Sequence, residues 1–306
     1  MPSGTHPTGA GFEAGATLFE PAPAKINLAL HVVGQRADGY HLLESIVTFA
    51  KAGDRLSFSP AASDGFSVSG RFGTMLCDDP KPNLVLTARD RLRQAIIAAG
   101  GEAPPVAIHL EKNLPVAAGI GGGSADAAAT LRGLMRLWNA GLPETELAAI
   151  ALSLGADVPM CLKGVPSMAR GIGEDLTPLP SFPVLALVLG NPLIGVSTPE
   201  IFRQLARRDN PPIKARRGDW LAYFAGLRND LEQPAKTLVP EIGELAAMIE
   251  AEGALLTRMS GSGATCFGIF SSIEAAEDAA KSLSRRKPGW YFQAAETIGG
   301  HDLRDQ

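Results

Sequence analysis

With 306 residues and a formal net charge of −4, the chain is long enough for two domains with a cleft between them, and it lacks the basic stripe that a nucleic-acid partner requires. Cys77, Cys161 and Cys266 are odd in number and widely spaced, which excludes a disulfide framework, shows no metal-ligand spacing and suits buried thiols in a reducing compartment. Residues 1–16 have neither a basic start nor an apolar block, and apolar runs such as 182–189 are only strand-length, so neither a signal peptide nor a membrane span is expected and the expected location is cytoplasmic.

After a tail over 1–16 that is expected to be disordered, a strand beginning at 17–20 is expected to break at Pro21 and Pro23. Residues 23–32 alternate as a strand with Ile26, Leu28, Leu30 and Val32 on one face, so Lys25 and Asn27 share the other, about 7 Å apart. That ammonium and amide either face solvent or meet one substrate together. Asp38-Gly39 punctuates a turn, and Tyr40 and His41 then precede a strand over 42–50. Their rings suit either a planar ligand or ordinary packing.

Residues 55–59 and 65–69 read as hairpin strands. Asn83 is placed to cap a helix over 84–99 with Leu84, Ala88, Leu92, Ile96 and Ala99 as its buried stripe. Val106, Ile108 and Leu110 alternate on a strand that Lys112 ends and that leads towards a glycine-rich stretch.

That stretch, residues 114–129, holds four glycines in five positions (Gly119, Gly121, Gly122, Gly123) and then a run of alanines. Such a loop lets the backbone approach a ligand before it enters a helix N-terminus, where free amides and the macrodipole favour an anion such as phosphate. A Walker A loop is excluded because no lysine follows the glycines, and a dinucleotide fingerprint because Ser124 stands where its last glycine belongs. A flexible linker does not run into Leu131, Leu134, Met135 and Trp138 at helical spacing. The stretch is therefore a phosphate loop or a structural turn.

Residues 143–154 form a further helix with Leu147, Ile150, Ala151 and Leu154 inward, stopped by Gly155. Pro159 biases Val158 away from the helical region, so Asp157 is expected on a short extended connection, as a turn residue or as a catalytic carboxylate. A buried strand follows over 182–189, and Ser197-Thr198-Pro199-Glu200 opens a helix that carries Ile201 and Phe202. Residues 207–217 read as a basic surface loop. Then come an amphipathic helix over 240–252, a strand over 254–259 and a second small-residue turn, Ser260-Gly261-Ser262-Gly263-Ala264-Thr265. This turn suits a close backbone approach to a ligand or to the first glycine loop. A strand over 266–270, a helix over 273–286 and a strand over 291–296 complete a βαβ-type half.

Three blocks in this order resemble the signature of the GHMP small-molecule kinases: residues 23–28, Pro115 with Gly119 to Ala125, and Ser260 to Gly263. Arg36 to His41, Leu152 to Pro159 and Thr198-Pro199 resemble the branch of that family that phosphorylates cytidine-diphospho-methylerythritol. The resemblance covers residues 21–296. It implies an α+β, two-domain GHMP kinase fold with the active site in the cleft. The N-terminal α/β domain, over 17–165, would be ribosomal-protein-S5-like, and the C-terminal one, over 166–300, ferredoxin-like. It also implies ATP and Mg²⁺ as cofactors, and transfer of the γ-phosphoryl to a tertiary hydroxyl with Asp157 as general base and Lys25 as its orienting cation.

By the same resemblance, Pro115, Ala118, Gly119, Ile120, Gly121, Gly122, Gly123, Ser124 and Ala125 bind the ATP phosphates. Ser124 bears on Mg²⁺ or a phosphate, or is simply an N-cap; Asp126, from its place in the first turn, is read as a partner of the helix dipole rather than a metal ligand. Asn27 lies near the substrate diol, the rings of Tyr40 and Phe202 sandwich the cytosine, His41 reads its polar edge and Thr198 joins the substrate site. The implied partners are ATP and the small-molecule substrate, without nucleic acid or membrane, on a monomer or weak homodimer. A homoserine or mevalonate kinase would not require the Tyr40, His41 and Phe202 set, and a non-catalytic nucleotide-binding regulator would need neither Lys25 nor Asp157. Ala117-Ala118 replace glycines common in relatives, and the loop over 207–217 is poorly matched.

Overall fold

The computed structural model describes residues 16–77, 82–116 and 118–300. The tail expected over 1–16, all but its last residue, lies outside that set, as do Ala117 and the side chain of Cys77. The first half of the chain runs β1 (Leu18–Gln35), β2 (His41–Pro60), β3 (Gly65–Ser69), α1 (Gly73–Cys77), α2 (Leu84–Ala98), β4 (Val106–Glu111), α3 (Gly122–Leu137), α4 (Glu144–Leu154), α5 (Val158–Lys163), β5 (Ser167–Gly171) and β6 (Asp175–Pro178). Its six strands form one sheet in the order β3-β4-β2-β5-β6, with β1 paired along the opposite side of β2.

Pro21 and Pro23 do not break β1, which pairs with β2 from Leu18 to Gln35 through register shifts at Pro23/Ala24, Asn27/Ala29 and Val32/Gly34. Among the described residues β1 pairs with no strand on its other side beyond an isolated bridge between Leu30 and Asn229, and on an edge a proline's missing N–H leaves the ladder intact. The expected hairpin over 55–69 also fails. Residues 55–59 are the end of the long β2, while β3 pairs parallel to β4, from Gly65↔Ala107 to Ser69↔Glu111. The cap on α2 holds, because the Asn83 side chain accepts from the Val85 amide; Val85 rather than Leu84 leads the buried stripe of Ala88, Leu92 and Ile96.

The second half runs β7 (Ala186–Asn191), α6 (Thr198–Arg203), α7 (Trp220–Ala225), α8 (Glu232–Leu238), α9 (Glu241–Ala251), β8 (Leu256–Met259), β9 (Cys266–Phe270), α10 (Ile273–Arg286) and β10 (Tyr291–Glu296). Its four strands are antiparallel in the order β10-β7-β9-β8, with helices between the first two and the last two in sequence, which is the ferredoxin-like pattern. The boundary expected at 165/166 falls before β5 and β6, both of which belong to the first sheet. The strand expected over 182–189 begins at Ala186.

Three apolar clusters account for the packing. One joins the first sheet to α2, α3, α4 and α5, and a second packs α8, α9 and α10 on the second sheet. The third lies between the halves, where Ile26 and Leu28 of β1 meet Leu187, Leu189, Phe267 and Ile269. Cys161 and Cys266 are free and buried. Among the described residues no helix is long and apolar enough to cross a membrane.

Candidate active site

The open edge of β1 is the seam on which the site is assembled. With no neighbouring strand there, its outward amides find other acceptors: Lys25 N–H donates to Ile120 O (2.9 Å) in the glycine loop, and Asn27 N–H donates to Ser260 Oγ (3.0 Å) in the second small-residue turn. Further along, Leu30 N–H donates to Arg228 O (2.9 Å) and Val32 N–H to Asp230 Oδ2 (2.8 Å). Asn229 ties this segment to the second turn by donating to Met259 O and Gly261 O, both at 2.8 Å. The two glycine turns also touch directly, since Thr265 N–H donates to Ala118 O (3.2 Å). Three segments far apart in sequence are thus held in register by one strand.

Alternation along β1 sends Ile26 and Leu28 into the core between the halves and puts Lys25 and Asn27 on the cleft. Lys25 Nζ meets Asp157 Oδ2 at 2.8 Å; the lysine side chain is 6% exposed and the aspartate 39%, so the carboxylate is the member of the pair open to a ligand. Asp157 does not stand on an extended connection. It takes helical angles (φ −84°, ψ −15°) as the N-cap of α5, because Pro159 sits in the first turn, where its missing N–H sacrifices no helical bond. Asn27 Nδ2 donates to Ser45 Oγ (2.8 Å), while its Oδ1 is buried without a partner among the described residues.

The glycine loop enters α3 through its N-cap Gly121, which is left-handed (φ 64°, ψ 24°), a conformation open to glycine. The first helical bond is Ala125 N–H to Gly121 O (2.8 Å), which leaves the amides of Gly122, Gly123 and Ser124 ahead of the ladder. Ser124 is accordingly not the N-cap, and its hydroxyl has no partner among the described residues. Pro115, Ala118, Gly119, Gly121, Gly122, Gly123 and Ser124 line a cleft of about 930 Å³ that also contains Lys25, Asn27, Asp157, Thr198 and Phe202. The predicted phosphate-binding residues Ile120 and Ala125 are buried and do not line it.

Asp126 is not a partner of the helix dipole, since it lies beyond the first turn of α3. Its Oδ2 accepts from Lys112 Nζ (2.7 Å), and the same ammonium bonds Asp54, whose Oδ1 accepts from the amides of Asn113 (2.6 Å) and Leu114 (2.8 Å). All three side chains are buried under the loop. Burial raises the Asp126 carboxyl, Lys112 pulls it back, and Asp54 pushes it up again, so that it stands above the usual carboxylate range; its Oδ1 is buried without a partner among the described residues. Sequence reasoning missed Asp54 and Lys112. The available signal was an aspartate inside β2, since strands are poor in aspartate.

At the mouth, the structure brings His41 and Phe202 together, with ring centroids 4.5 Å apart and planes at 24°. Burial and then the nearby Arg208 charge lower the His41 pKa, and its Nε2 is buried without a partner among the described residues. Phe202 lines the cleft, whereas His41 and Tyr40, the latter 60% exposed on the β1–β2 turn, are not part of its lining. Thr198 Oγ1 lies 2.8 Å from Ser262 Oγ, joining α6 to the second turn.

The sequence matches the profile of the GHMP kinases N terminal domain over residues 83–165 and that of the GHMP kinases C terminal over residues 212–289. A protein of Rhizobium johnstonii named 4-diphosphocytidyl-2-C-methyl-D-erythritol kinase is 62% identical over 290 residues, which is 93% of this chain and 95% of the relative. A protein of the same name from Agrobacterium fabrum is 58% identical, over 93% of this chain and 98% of its own. The crystal structure of 4-(cytidine 5'-diphospho)-2C-methyl-D-erythritol kinase superposes with a TM-score of 0.76 at 35% identity, covering 92% of this chain and all of that one. Homoserine kinase from Cytophaga hutchinsonii, 18% identical with a TM-score of 0.64 over 96% of this chain and 98% of its own, shares the fold.

Proposed function

The chain belongs to the 4-diphosphocytidyl-2-C-methyl-D-erythritol kinases of the GHMP kinase family, and from that premise we propose how its residues divide the work of phosphoryl transfer. ATP is the donor, and the acceptor is the 2-hydroxyl of 4-(cytidine 5'-diphospho)-2-C-methyl-D-erythritol, in non-mevalonate isoprenoid precursor biosynthesis. The observation that carries the assignment of roles is the 2.8 Å pair of Lys25 and Asp157 beside a glycine-lined cleft.

A tertiary alcohol is a poor nucleophile. Asp157 Oδ2 is held by Lys25, so Oδ1 is the atom that takes the hydroxyl proton as the new O–P bond forms and the bond from phosphorus to the departing ADP oxygen breaks. Lys25 orients the carboxylate and supplies fixed positive charge where the attacking oxygen becomes negative. The amides of Gly122, Gly123 and Ser124 receive the ATP phosphates.

Mg²⁺ fits this arrangement. Among the described residues no group of three or more His, Cys, Asp or Glu side chains is placed to hold a metal, but Mg²⁺ characteristically keeps several waters and binds through substrate phosphates, and in other phosphoryl-transfer sites a Ser or Thr hydroxyl of the phosphate loop is among its ligands. The unpartnered hydroxyl of Ser124 is the side chain we assign to it. When bound, the ion neutralises charge on the transferring phosphoryl group.

On the acceptor side, Asn27 Oδ1 receives a hydroxyl of the methylerythritol diol, and Thr198 closes the same wall. The cytosine lies against Phe202, with Tyr40 closing over it from the rim and His41 Nε2 meeting its polar edge. The buried, unpartnered state of that nitrogen supports the last role. The enzyme works in the cytoplasm as a monomer or weak homodimer.

The test is an ADP-release assay with three acceptors. Turnover is expected with cytidine-diphospho-methylerythritol and not with homoserine or mevalonate; equal rates with either of those, or no turnover with any acceptor, overturns the reading.

A further inference from the structure

The second small-residue turn, residues 260–265, stands where the donor and acceptor sides of the cleft meet. Ser260 Oγ accepts Asn27 N–H (3.0 Å) from β1 and donates to Gly119 O (3.4 Å) in the glycine loop. A Cβ on Gly261 would lie 2.7 Å from Gly119 O and 3.3 Å from Asn27 Oδ1, so only bare backbone fits between the phosphate loop and the atom assigned to the acceptor diol. Gly261, Ser262 and Gly263 all line the cleft.

Asn229, on the connection between α7 and α8, fixes that backbone from behind. It is buried and is not itself part of the cleft lining. Its Nδ2 donates to Met259 O and Gly261 O, both at 2.8 Å, and its Oδ1 accepts Leu231 N–H (3.0 Å), which uses the side chain at both ends. Its own backbone is held on the edge of β1, where Leu30 N–H donates to Arg228 O (2.9 Å) and Asp230 N–H to Leu30 O (2.8 Å). The Gly261–Ser262 peptide is trans, and a trans peptide points its N–H away from its C=O. With Gly261 O drawn inward by Asn229, Ser262 N–H is turned towards the cleft. That amide has no partner among the described residues, and an unpaired amide in a half-buried residue marks a place for a ligand acceptor.

We propose that Asn229 is a positioning residue for phosphoryl transfer: by holding Gly261 O it aims Ser262 N–H at the phosphoryl group as that group passes from ATP to the acceptor hydroxyl. The proposal rests on the division of roles made above. The amides at the start of α3 hold the phosphates from the donor side, and Ser262 N–H meets the moving group from the side of Asn27. A fixed donor there stabilises the transition state more than either bound substrate, so its loss is felt in kcat rather than in binding.

The experiment compares the wild-type protein with Asn229→Asp and Asn229→Gln. The aspartate still accepts Leu231 N–H but donates to neither carbonyl, whereas the glutamine keeps the donors on a longer side chain. The quantities are kcat, KM for each substrate, and the affinity for ADP with Mg²⁺ and aluminium fluoride, a mimic of the phosphoryl group in transit, all referred to the concentration of ATP-binding molecules. Asn229→Asp should lower kcat and the affinity for the fluoride complex each about 10²-fold. ATP affinity and the acceptor KM should change by less than about 3-fold, with Asn229→Gln intermediate in kcat. A wild-type kcat in both variants, or an equal loss of affinity for ATP, acceptor and the fluoride complex, overturns the proposal while leaving the kinase assignment standing. Absence of ADP release in the wild type defeats the assignment itself, and the proposal with it. If the aspartate variant does not fold, Asn229→Gln carries the same comparison.

Discussion

Gly119→Ala is the substitution that the interlocked glycine turns tolerate least. Gly119 has φ +73°, and a Cβ there would lie 2.3 Å from Gly263 O and 2.8 Å from Gly263 N. Ordinary contact begins at 3.4 Å, and the obstructing atoms are backbone, so no side chain can swing aside. One of the two turns has to retreat, and a misplacement of about 1 Å at a site of this kind costs about 10²-fold in rate. Left-handed backbone at a non-glycine residue adds about 1–2 kcal/mol of strain. Steady-state kinetics and a thermal melt are the assays: kcat/KM for ATP should fall about 10²-fold, with the midpoint lowered by several degrees. Gly141→Ala, where a Cβ meets nothing within 4 Å, serves as the control and should change neither quantity. A Gly119→Ala protein with wild-type kcat/KM and an unshifted melt would show that the two turns are not packed as described.

Lys112→Met removes the one ammonium between the buried carboxylates of Asp54 and Asp126, and breaking a buried pair in this way typically costs about 3–5 kcal/mol. Urea denaturation measures it, and a variant as stable as the wild type contradicts the buried triad. His31 adds a pH dependence to stability that is opposite in sign to that of Asp126, whose carboxyl is raised on folding. Burial first, and then the Arg228 charge, depress the folded pKa of His31 below the ordinary 6.5, so the unfolded chain binds the proton more readily. The His31 contribution to stability should therefore fall as the pH drops from 6.5 towards its folded pKa, with no contribution above that window. His31→Gln, compared by denaturation across the same range, should flatten the profile; identical profiles would remove His31 from the account.

What was legible in the sequence followed from local pattern. Alternation at residues 23–32 put Lys25 and Asn27 on one face, the glycine run marked a helix N-terminus built around free amides, and α10 and β10 fall where their periodicity put them. Rules that treat a residue apart from its neighbours in space were the ones that failed. Proline breaks a strand only where its N–H is needed, and the edge position of β1, invisible along the chain, removes that need at Pro21 and Pro23. The parallel pairing of β3 with β4 is likewise a tertiary choice. Asp54, Lys112 and Asp126 are separated by 58 and 14 positions, so their joint burial leaves no mark along the chain beyond the aspartate inside β2. Ser260 could be read as part of a small-residue turn, but not as the acceptor for an amide of β1, because that bond spans 233 residues.

The central claim is that one carboxylate, steadied by one ammonium, takes the proton of an alcohol facing ATP. Single-turnover phosphoryl transfer by Asp157→Asn, with ATP affinity measured in parallel, tests it most directly. The amide preserves shape and cannot act as the base, so the transfer rate should fall by about 10²–10⁴-fold while ATP binds as before. An asparagine variant that transfers phosphoryl at the wild-type rate contradicts the account.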